Sequence, residues 1–536
     1  MIIKPESQRA KDVDRNRAAS IARGDFNFSR LFSLCSKNYD FVGSFQDVFV
    51  GLRLTRGLQG GTLRQLMKAF PTLFRLGVAR VLLGLALPLA GATKVDRPNF
   101  IIIFCDDLGY ADIGPFGSEK HRTPNLDRMA AEGRKFTSFY VTSGVCSPSR
   151  SSLMTGCYPK RVGLHQNEKG QGVLFPGNQR GLNPSEITIA EVLKARGYAT
   201  GIVGKWHLGD QPEFLPTRQG FDSYFGIPFS NDMGQKDRPT KQYPPLPLLR
   251  MEKVIEEEPD QRLITQRYTR EAITFIQRNK ARPFFLYLPH TMPHWPQYSS
   301  ERFAGKSANG KWGDAAEEID WSTGEILKAL KANGLDEKTM VIFMSDNGGP
   351  LRHGASNKPL KGGKGSTWEG GHRVPFVVRW PGAIPAGTSS DAMATSMDLL
   401  PTLAKFAGAT LPSDRKLDGK DIAPLLLAKP EAATPHKAFY FYSRGQLHAV
   451  RSGNWKLFFI RGKKAPKGQP EALYNLANDI GETTNVLGEH AGVAKRLARL
   501  AEGMREDLGD DLTGAMGSGT RKPGFVKNAK ALTKRK

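Results

Sequence analysis

Only four cysteines occur in 536 residues (Cys35, Cys105, Cys146, Cys157), and no two have CxxC spacing. A disulfide-stapled scaffold and a CxxC-type zinc site are thereby excluded. Long apolar runs are also missing: Val81-Leu-Leu-Gly-Leu-Ala-Leu-Pro-Leu89 is too short to span a bilayer. There are no internal repeats. Acidic residues are scarce beside basic ones, 52 against 77, for a formal net charge of +25. Residues 1–92 hold 14 basic and 6 acidic residues, and 521–536 hold seven basic and no acidic ones. The excess is thus partly terminal, which argues against a dedicated nucleic-acid groove. A basic surface would favour polyanionic substrates.

What is present describes a globular chain able to bury a large core, with 39% hydrophobic and 24% charged residues. Residues 1–66 are polar and basic without sustained periodicity. From Met67 a basic stretch (Lys68, Arg75, Arg80), the apolar run and Ala90-Gly91-Ala92 follow one another. That is the layout of a secretory signal. We therefore expect translation from Met67, a signal segment over 67–92, and export to a periplasm or beyond, with no membrane segment left after cleavage.

Asn99-Phe-Ile-Ile-Ile-Phe-Cys105 reads as a strand buried on both faces. Asp106-Asp107 follow at its carboxyl end, where two adjacent carboxylates repel unless a cation neutralises them. The same pattern recurs. Tyr198–Gly204 delivers Lys205-Trp206-His207, Pro283–Leu288 delivers His290 and His294, and Thr339–Met344 delivers Asp346-Asn347. Helical patterns over Thr123–Gly133, Ile187–Arg196 and Ala315–Asn333 alternate with these strands; Gly133 reads as a C′ cap. An open α/β sheet is expected, with its ligand outside the carboxyl ends of the strands. Residues 231–262, rich in proline and charge, are expected as a surface excursion beside the pocket. Antiparallel strands are expected over His436–Tyr442 and Leu447–Ile460, and a helix toward Leu508. Arg521–Lys536 reads as a disordered tail.

Residues 146–156, Cys-Ser-Pro-Ser-Arg-Ser-Ser-Leu-Met-Thr-Gly, carry the sharpest signal. Pro148 suits a first helical turn and Ser147 an N-cap, which places Cys146 at a helix N-terminus that favours an anion. Arg150, one turn on, adds a fixed positive charge. By these residues alone Cys146 could be a buried thiol, a partner of Cys157, or a cysteine nucleophile. Asp106, Asp107, Asp346 and Asn347 offer only oxygen ligands, which favour calcium or magnesium over zinc.

Cys146-Ser-Pro-Ser-Arg150 with Leu153-Met-Thr-Gly156 resembles the Cys-x-Pro-x-Arg signature of type I, arylsulfatase A-like sulfatases of the alkaline phosphatase superfamily. The resemblance extends over most of 97–485. It implies a large mixed central sheet flanked by helices over 96–430, a smaller C-terminal α+β subdomain over 431–510, and the tail from 511. It implies that Cys146 is oxidised to formylglycine by a formylglycine-generating enzyme, and that one hydroxyl of the hydrated aldehyde attacks the sulfur of a sulfate ester. Asp106, Asp107, Asp346, Asn347 and the side chain at 146 match the metal ligands, for calcium or magnesium. Arg150 matches the residue steadying the nucleophile, Lys205 and His207 a pair beside it, and His294 and Lys364 residues binding sulfate and assisting the leaving group. Ser230, in Gly226-Ile-Pro-Phe-Ser-Asn-Asp232, resembles a substrate-side serine, whereas His290 does not fall on a family position. The expected substrate is an aryl sulfate or a sulfated carbohydrate. Two other outcomes are a phosphonate or phosphodiester hydrolase with the same nucleophile, and a non-catalytic polyanion-binding protein if Cys146 stays a thiol.

Overall fold

The computed structural model describes residues 97–461 and 466–534, so the extension 1–66 and the signal-like segment 67–92 lie outside the described residues. Ten strands form the central sheet: β1 (Asn99–Cys105), β2 (Arg134–Phe136), β3 (Ala199–Val203), β4 (Ser223–Gly226), β5 (Pro247–Arg250), β6 (Lys253–Glu257), β7 (Phe284–Pro289), β8 (Thr339–Ser345), β9 (Phe376–Arg379) and β10 (Thr388–Ser390). Their spatial order is β10-β2-β9-β8-β1-β7-β3-β4-β5-β6. The middle five, β8-β1-β7-β3-β4, are mutually parallel, whereas β9 and β5 join this block antiparallel. The sheet is therefore mixed. The expected excursion at 231–262 supplies its far edge, β5 and β6.

Period-two alternation between two cores explains why β1 is apolar from Phe100 to Cys105. Phe100, Ile102 and Phe104 enter one core, Ile101, Ile103 and Cys105 the other. The first core packs against α2 (Cys146–Thr155), α3 (Ile189–Lys194) and α6 (Leu399–Ala407) through Leu153, Leu193 and Leu403. The second packs against α1 (Pro124–Ala131), α4 (Ile264–Arg278) and α5 (Gly310–Ala332) through Met129, Tyr268 and Ile319. A strand with helices on both faces can be apolar at every position.

Gly133 stands at the expected C′ position, directly after the C-cap Glu132, but it is not left-handed. Its small size serves contact instead, because a Cβ there would run into the Val378 carbonyl of β9.

The C-terminal sheet is antiparallel, β11 (Phe439–Ser443), β12 (Gln446–Ser452), β13 (Trp455–Phe459) and β14 (Pro470–Asn475), in that order, and α7 (Ala491–Leu508) covers it. This subdomain is not a separate body, since residues 97–534 belong to one compact unit.

The basic segment after residue 510, expected to be disordered, is ordered as far as residue 534. Gly524–Phe525 pairs with Arg180–Gly181. Arg521 makes a two-pronged bond to Glu186 at 2.7 and 2.8 Å. Gln211 and Lys530 exchange hydrogen bonds at 2.9 Å each, and Thr533 is buried on Pro245. Composition pointed to disorder because the lysines project outward; the backbone groups and Arg521, which hold the segment, leave no compositional signature. Hydrogen exchange at the Val526 and Lys530 amides, bonded to Gln179 and Gln211, is expected to run at least about 100-fold slower than in an unstructured peptide. Exchange at the unstructured rate would contradict this docking.

Candidate active site

The site is assembled from the carboxyl ends of the parallel strands. Asp106 and Asp107 follow β1, Asp346 and Asn347 follow β8, Lys205 and His207 follow β3, Ser230 follows β4, and His294 follows β7. Cys146 and Arg150 come from α2, and Lys364 from the loop before Glu369. Asp107 and His207 have left-handed backbone, φ 71° and 61°. Such conformations are uncommon outside glycine and gather at functional sites.

Helix α2 starts at Cys146 itself, with Val145 as an extended N-cap that lacks a side-chain bond. Ser147 is not the cap; its hydroxyl accepts from the Leu174 amide at 3.1 Å. Pro148 at the third helical position costs nothing, since amides of the first turn have no helical acceptor. Cys146 nonetheless occupies the anion-favouring end. Arg150, fully buried, donates to Asp346 Oδ2 at 3.2 and 2.8 Å and to the Lys205 carbonyl at 3.1 Å.

The other charges interlock with this pair. Lys205 Nζ lies 2.5 Å from Asp106 Oδ2 and 3.2 Å from Ser230 Oγ. Lys364 Nζ lies 2.6 Å from Asp107 Oδ2, and His294 Nε2 lies 3.6 Å from the same oxygen. The Asp107 amide donates to Asp346 Oδ1 at 3.0 Å, and Asn347 Nδ2 donates to Asp107 Oδ1 at 2.8 Å. Three carboxylates face three fixed cations.

Burial opposes ionisation of Asp106, yet Lys205, His294, Arg150 and Lys364 together hold its carboxyl well below the usual range. Asp346 goes the other way: burial and the Asp106 charge push it up to about 7, despite Arg150. Burial and Lys205 depress His207 strongly, and burial and Lys364 depress His294. Both imidazoles are therefore neutral near pH 7. His207 Nε2 meets the Leu174 carbonyl at 2.9 Å, so it carries the proton, and the buried Nδ1 makes no hydrogen bond.

The oxygens suit a divalent cation. Among the described residues, Asp106 Oδ1 and Asn347 Oδ1 are buried without a hydrogen bond, although Arg150 Nη2 lies 3.5 Å from Asp106 Oδ1, and a cation would give both oxygens a closer partner. One ligand atom each from Asp106, Cys146 and Asp346 falls within a mutual 4.8 Å, as does one each from Asp107, Cys146 and His294. All four residues Asp106, Asp107, Asp346 and Asn347 present hard oxygen donors.

Cys146, His207, Ser230, His294 and Lys364 line one cavity of about 410 Å³. Asp106, Asp107, Arg150, Lys205, Asp346 and Asn347 are buried and tied to that wall by the bonds above. His290 stays apart: its amide binds the Phe104 carbonyl in the sheet and its ring packs near Tyr268. Sequence reasoning overlooked Asn231. Its Oδ1 lies 3.0 Å from His294 Nδ1, while its Nδ2 is committed to Gln261 and the Pro296 carbonyl. Asn231 thus directs the His294 ring, and adjacency to Ser230 was the available signal. Asp232, Arg238 and Arg444 on the cavity wall were missed as well.

A mixed sheet with parallel middle strands, a cysteine at a buried helix N-terminus and carboxylates grouped beside it accord with the alkaline phosphatase superfamily, to which the comparisons assign the chain. Residues 98–409 match the sulfatase family, and 363–507 match the N-sulphoglucosamine sulphohydrolase C-terminal family. Human (Homo sapiens) arylsulfatase A is 41% identical over 451 residues, covering 76% of this chain and 87% of that one. N-acetylgalactosamine-6-sulfatase of Mus musculus is 42% identical over 393 residues, covering 70% and 74%. The crystal structure of Ps i-CgsB superposes with a TM-score of 0.68 at 34% identity, covering 79% of this chain and 95% of that one. The chain belongs to the type I, arylsulfatase A-like sulfatase family, and is a sulfuric ester hydrolase.

Proposed function

We propose that the chain releases inorganic sulfate from a sulfate monoester of an aryl alcohol or a carbohydrate, using a formylglycine made from Cys146 and a calcium ion. The observation that carries this reading is the position of Cys146, at the start of a buried helix, on the cavity wall with Lys364, and with one ligand atom each from Asp106 and Asp346 within a mutual 4.8 Å of its Sγ. Burial also raises its thiol above the ordinary value although Lys205 and Lys364 pull the other way. The Cys146 Sγ position stands for the formylglycine side chain, whose hydrate supplies two geminal hydroxyls, one to attack sulfur and one whose deprotonation releases sulfate.

Asp106, Asp107, Asp346 and Asn347 would hold the cation, which adds positive charge for the nucleophile and the sulfate oxygens. Magnesium fits the same donor types. Because the three carboxylates are already balanced by Arg150, Lys205 and Lys364, a bound divalent ion leaves the pocket cationic, as an anionic ester requires. Arg150 fixes Asp346 and the Lys205 backbone. Lys205 and Ser230 face the substrate together, and Lys364 and His294 clamp sulfate from the Asp107 side and serve the leaving oxygen. Neutral His207, with Nδ1 free, accepts the proton that must leave for sulfate to be expelled. Maturation calls for a formylglycine-generating enzyme. Export rests on the segment 67–92.

Stripping the purified, matured protein with a chelator is expected to lower 4-nitrophenyl sulfate turnover by at least about 100-fold, and added calcium should restore it. Undiminished activity in the metal-free protein would sink the metal assignment. Faster turnover of a phosphate diester than of any sulfate ester would move the assignment to a phosphodiesterase.

A further inference from the structure

We propose that Arg444 recognises a second sulfate group on the substrate, one not being hydrolysed; this rests on the sulfatase reading above. Arg444 sits at the turn between β11 and β12, where the C-terminal subdomain reaches the cavity that holds Cys146 and Lys364. The other cationic side chains of this wall have carboxylate partners, and Lys364 serves the sulfate being hydrolysed. Lys364 is paired with Asp107 at 2.6 Å, and Arg238 is paired with Asp232 and lies over the Trp295 ring at 5.1 Å. His165 is neutral, pushed down to about 4 by burial and by Lys160. Arg444 is exposed and, among the described residues, makes neither an ion pair nor a hydrogen bond.

The backbone shows that this presentation is built. Arg444 has φ 53°, a left-handed conformation that arginine adopts rarely. Arg444 and Gly445 form the two-residue turn between the paired Ser443 and Gln446, and such a hairpin turn calls for a left-handed first residue. The Gly445 carbonyl accepts from Lys160 Nζ at 2.8 Å and from the Asp511 amide at 3.0 Å, while Lys160 also binds Asp511 Oδ1 at 2.8 Å. A Cβ at residue 445 would press on the Asp511 carboxylate, so glycine lets the two stay close. These contacts hold the turn, and Arg444 with it, at the cavity wall. A guanidinium matches two sulfate oxygens with two parallel N–H bonds. Across the same cavity Phe175 and Tyr243 stack at 6.3 Å, giving an apolar wall for the ring that would bear both sulfates.

The test is calorimetric titration of Cys146→Ala protein, which cannot consume its ligand, with N-acetylgalactosamine 6-sulfate and N-acetylgalactosamine 4,6-disulfate. With Arg444 present the disulfate should bind about tenfold more tightly, and the preference should shrink as salt is added. Arg444→Ala should reduce it to about twofold or less, and Arg444→Lys, a point charge without the fork, should fall between. Monosulfate binding by each variant reports that it is folded. Equal affinities, no binding of the disulfate, or a preference that survives Arg444→Ala would each overturn the proposal. Turnover of 4-nitrophenyl sulfate by the matured protein separately reads the sulfatase assignment, so the two can fail independently.

Discussion

Replacing Cys146 with alanine is expected to remove sulfate release from 4-nitrophenyl sulfate, with kcat falling on the order of ten-thousand-fold or more. The remaining charges would still bind the ester: Lys205, Lys364 and Arg150 are anchored by Asp106, Asp107 and Asp346, not by Cys146. Loss of turnover with ester binding retained would therefore identify position 146 as the source of the nucleophile. Cys146→Ser should be nearly as inactive, because a single hydroxyl cannot expel sulfate by collapse of a geminal pair. Mass spectrometry of the peptide spanning Arg134–Lys160 should show the aldehyde only in protein co-expressed with a formylglycine-generating enzyme, and activity should follow the oxidised fraction. Full activity in protein whose Cys146 is entirely thiol would refute the mechanism.

The second large effect is expected far from the nucleophile. Lys456 on β13 is fully buried, with Nζ 3.0 Å from Glu369 Oε1 and 2.9 Å from Glu482 Oε1. Tyr140, Arg373 and Arg451 complete the cluster around Glu369. Lys456→Met keeps most of the volume and removes the only cation paired with Glu482 among the described residues, while Glu369 keeps Arg373 and Arg451. Removing one partner of a buried ion pair costs about 3–5 kcal/mol, which denaturant unfolding should register as a lower midpoint. Glu369 lies in the stretch that follows Lys364, so some loss of activity should accompany the loss of stability.

The pH dependence separates this explanation from simple loss of packing. Burial works against ionisation of Glu369, but Lys456, Arg451 and Arg373 hold its carboxyl at about 2. A carboxyl depressed in the folded state adds stability above its unfolded value of about 4.3, and that stability is lost as pH falls toward 2. Glu482 is shifted upward, burial outweighing Lys456. Without Lys456 the unpaired Glu482 charge is relieved by protonation, so the gap between parent and variant should narrow as pH falls from 7 toward 4. A gap that is constant with pH, or below about 1 kcal/mol, would count against the buried ion cluster.

Strand ends and site were legible in the sequence to an unusual degree because both leave local marks. A strand covered on two faces reads as a near-continuous apolar run, as β1 does from Phe100 to Cys105 and β8 from Met340 to Met344, and the residues that follow such strands are the ones an open α/β sheet exposes to its ligand. The Cys146–Arg150 spacing likewise survives in one dimension, since a helix turn fixes it. Errors arose where the deciding contact was distant. Ser147 looked like a cap but is bonded to Leu174, and the basic tail looked unstructured but is held by Gln211, Glu186 and Pro245.

Residue types and periodicity thus pointed to the parallel core of the sheet and to a candidate site with a cysteine at a helix start, oxygen donors, and cations enough to balance them, and the resemblance of the motifs pointed to the family. Only the tertiary structure decided how those charges are paired, that Asn231 orients His294, that His290 lies outside the pocket, and that Arg444 is left without a partner on its wall. Pairing depends on distances between segments some 50 to 250 residues apart, such as Arg150 with Lys205 or Lys364 with Asp107. Local sequence carries no term for such separations; they are set when the two cores close around the sheet.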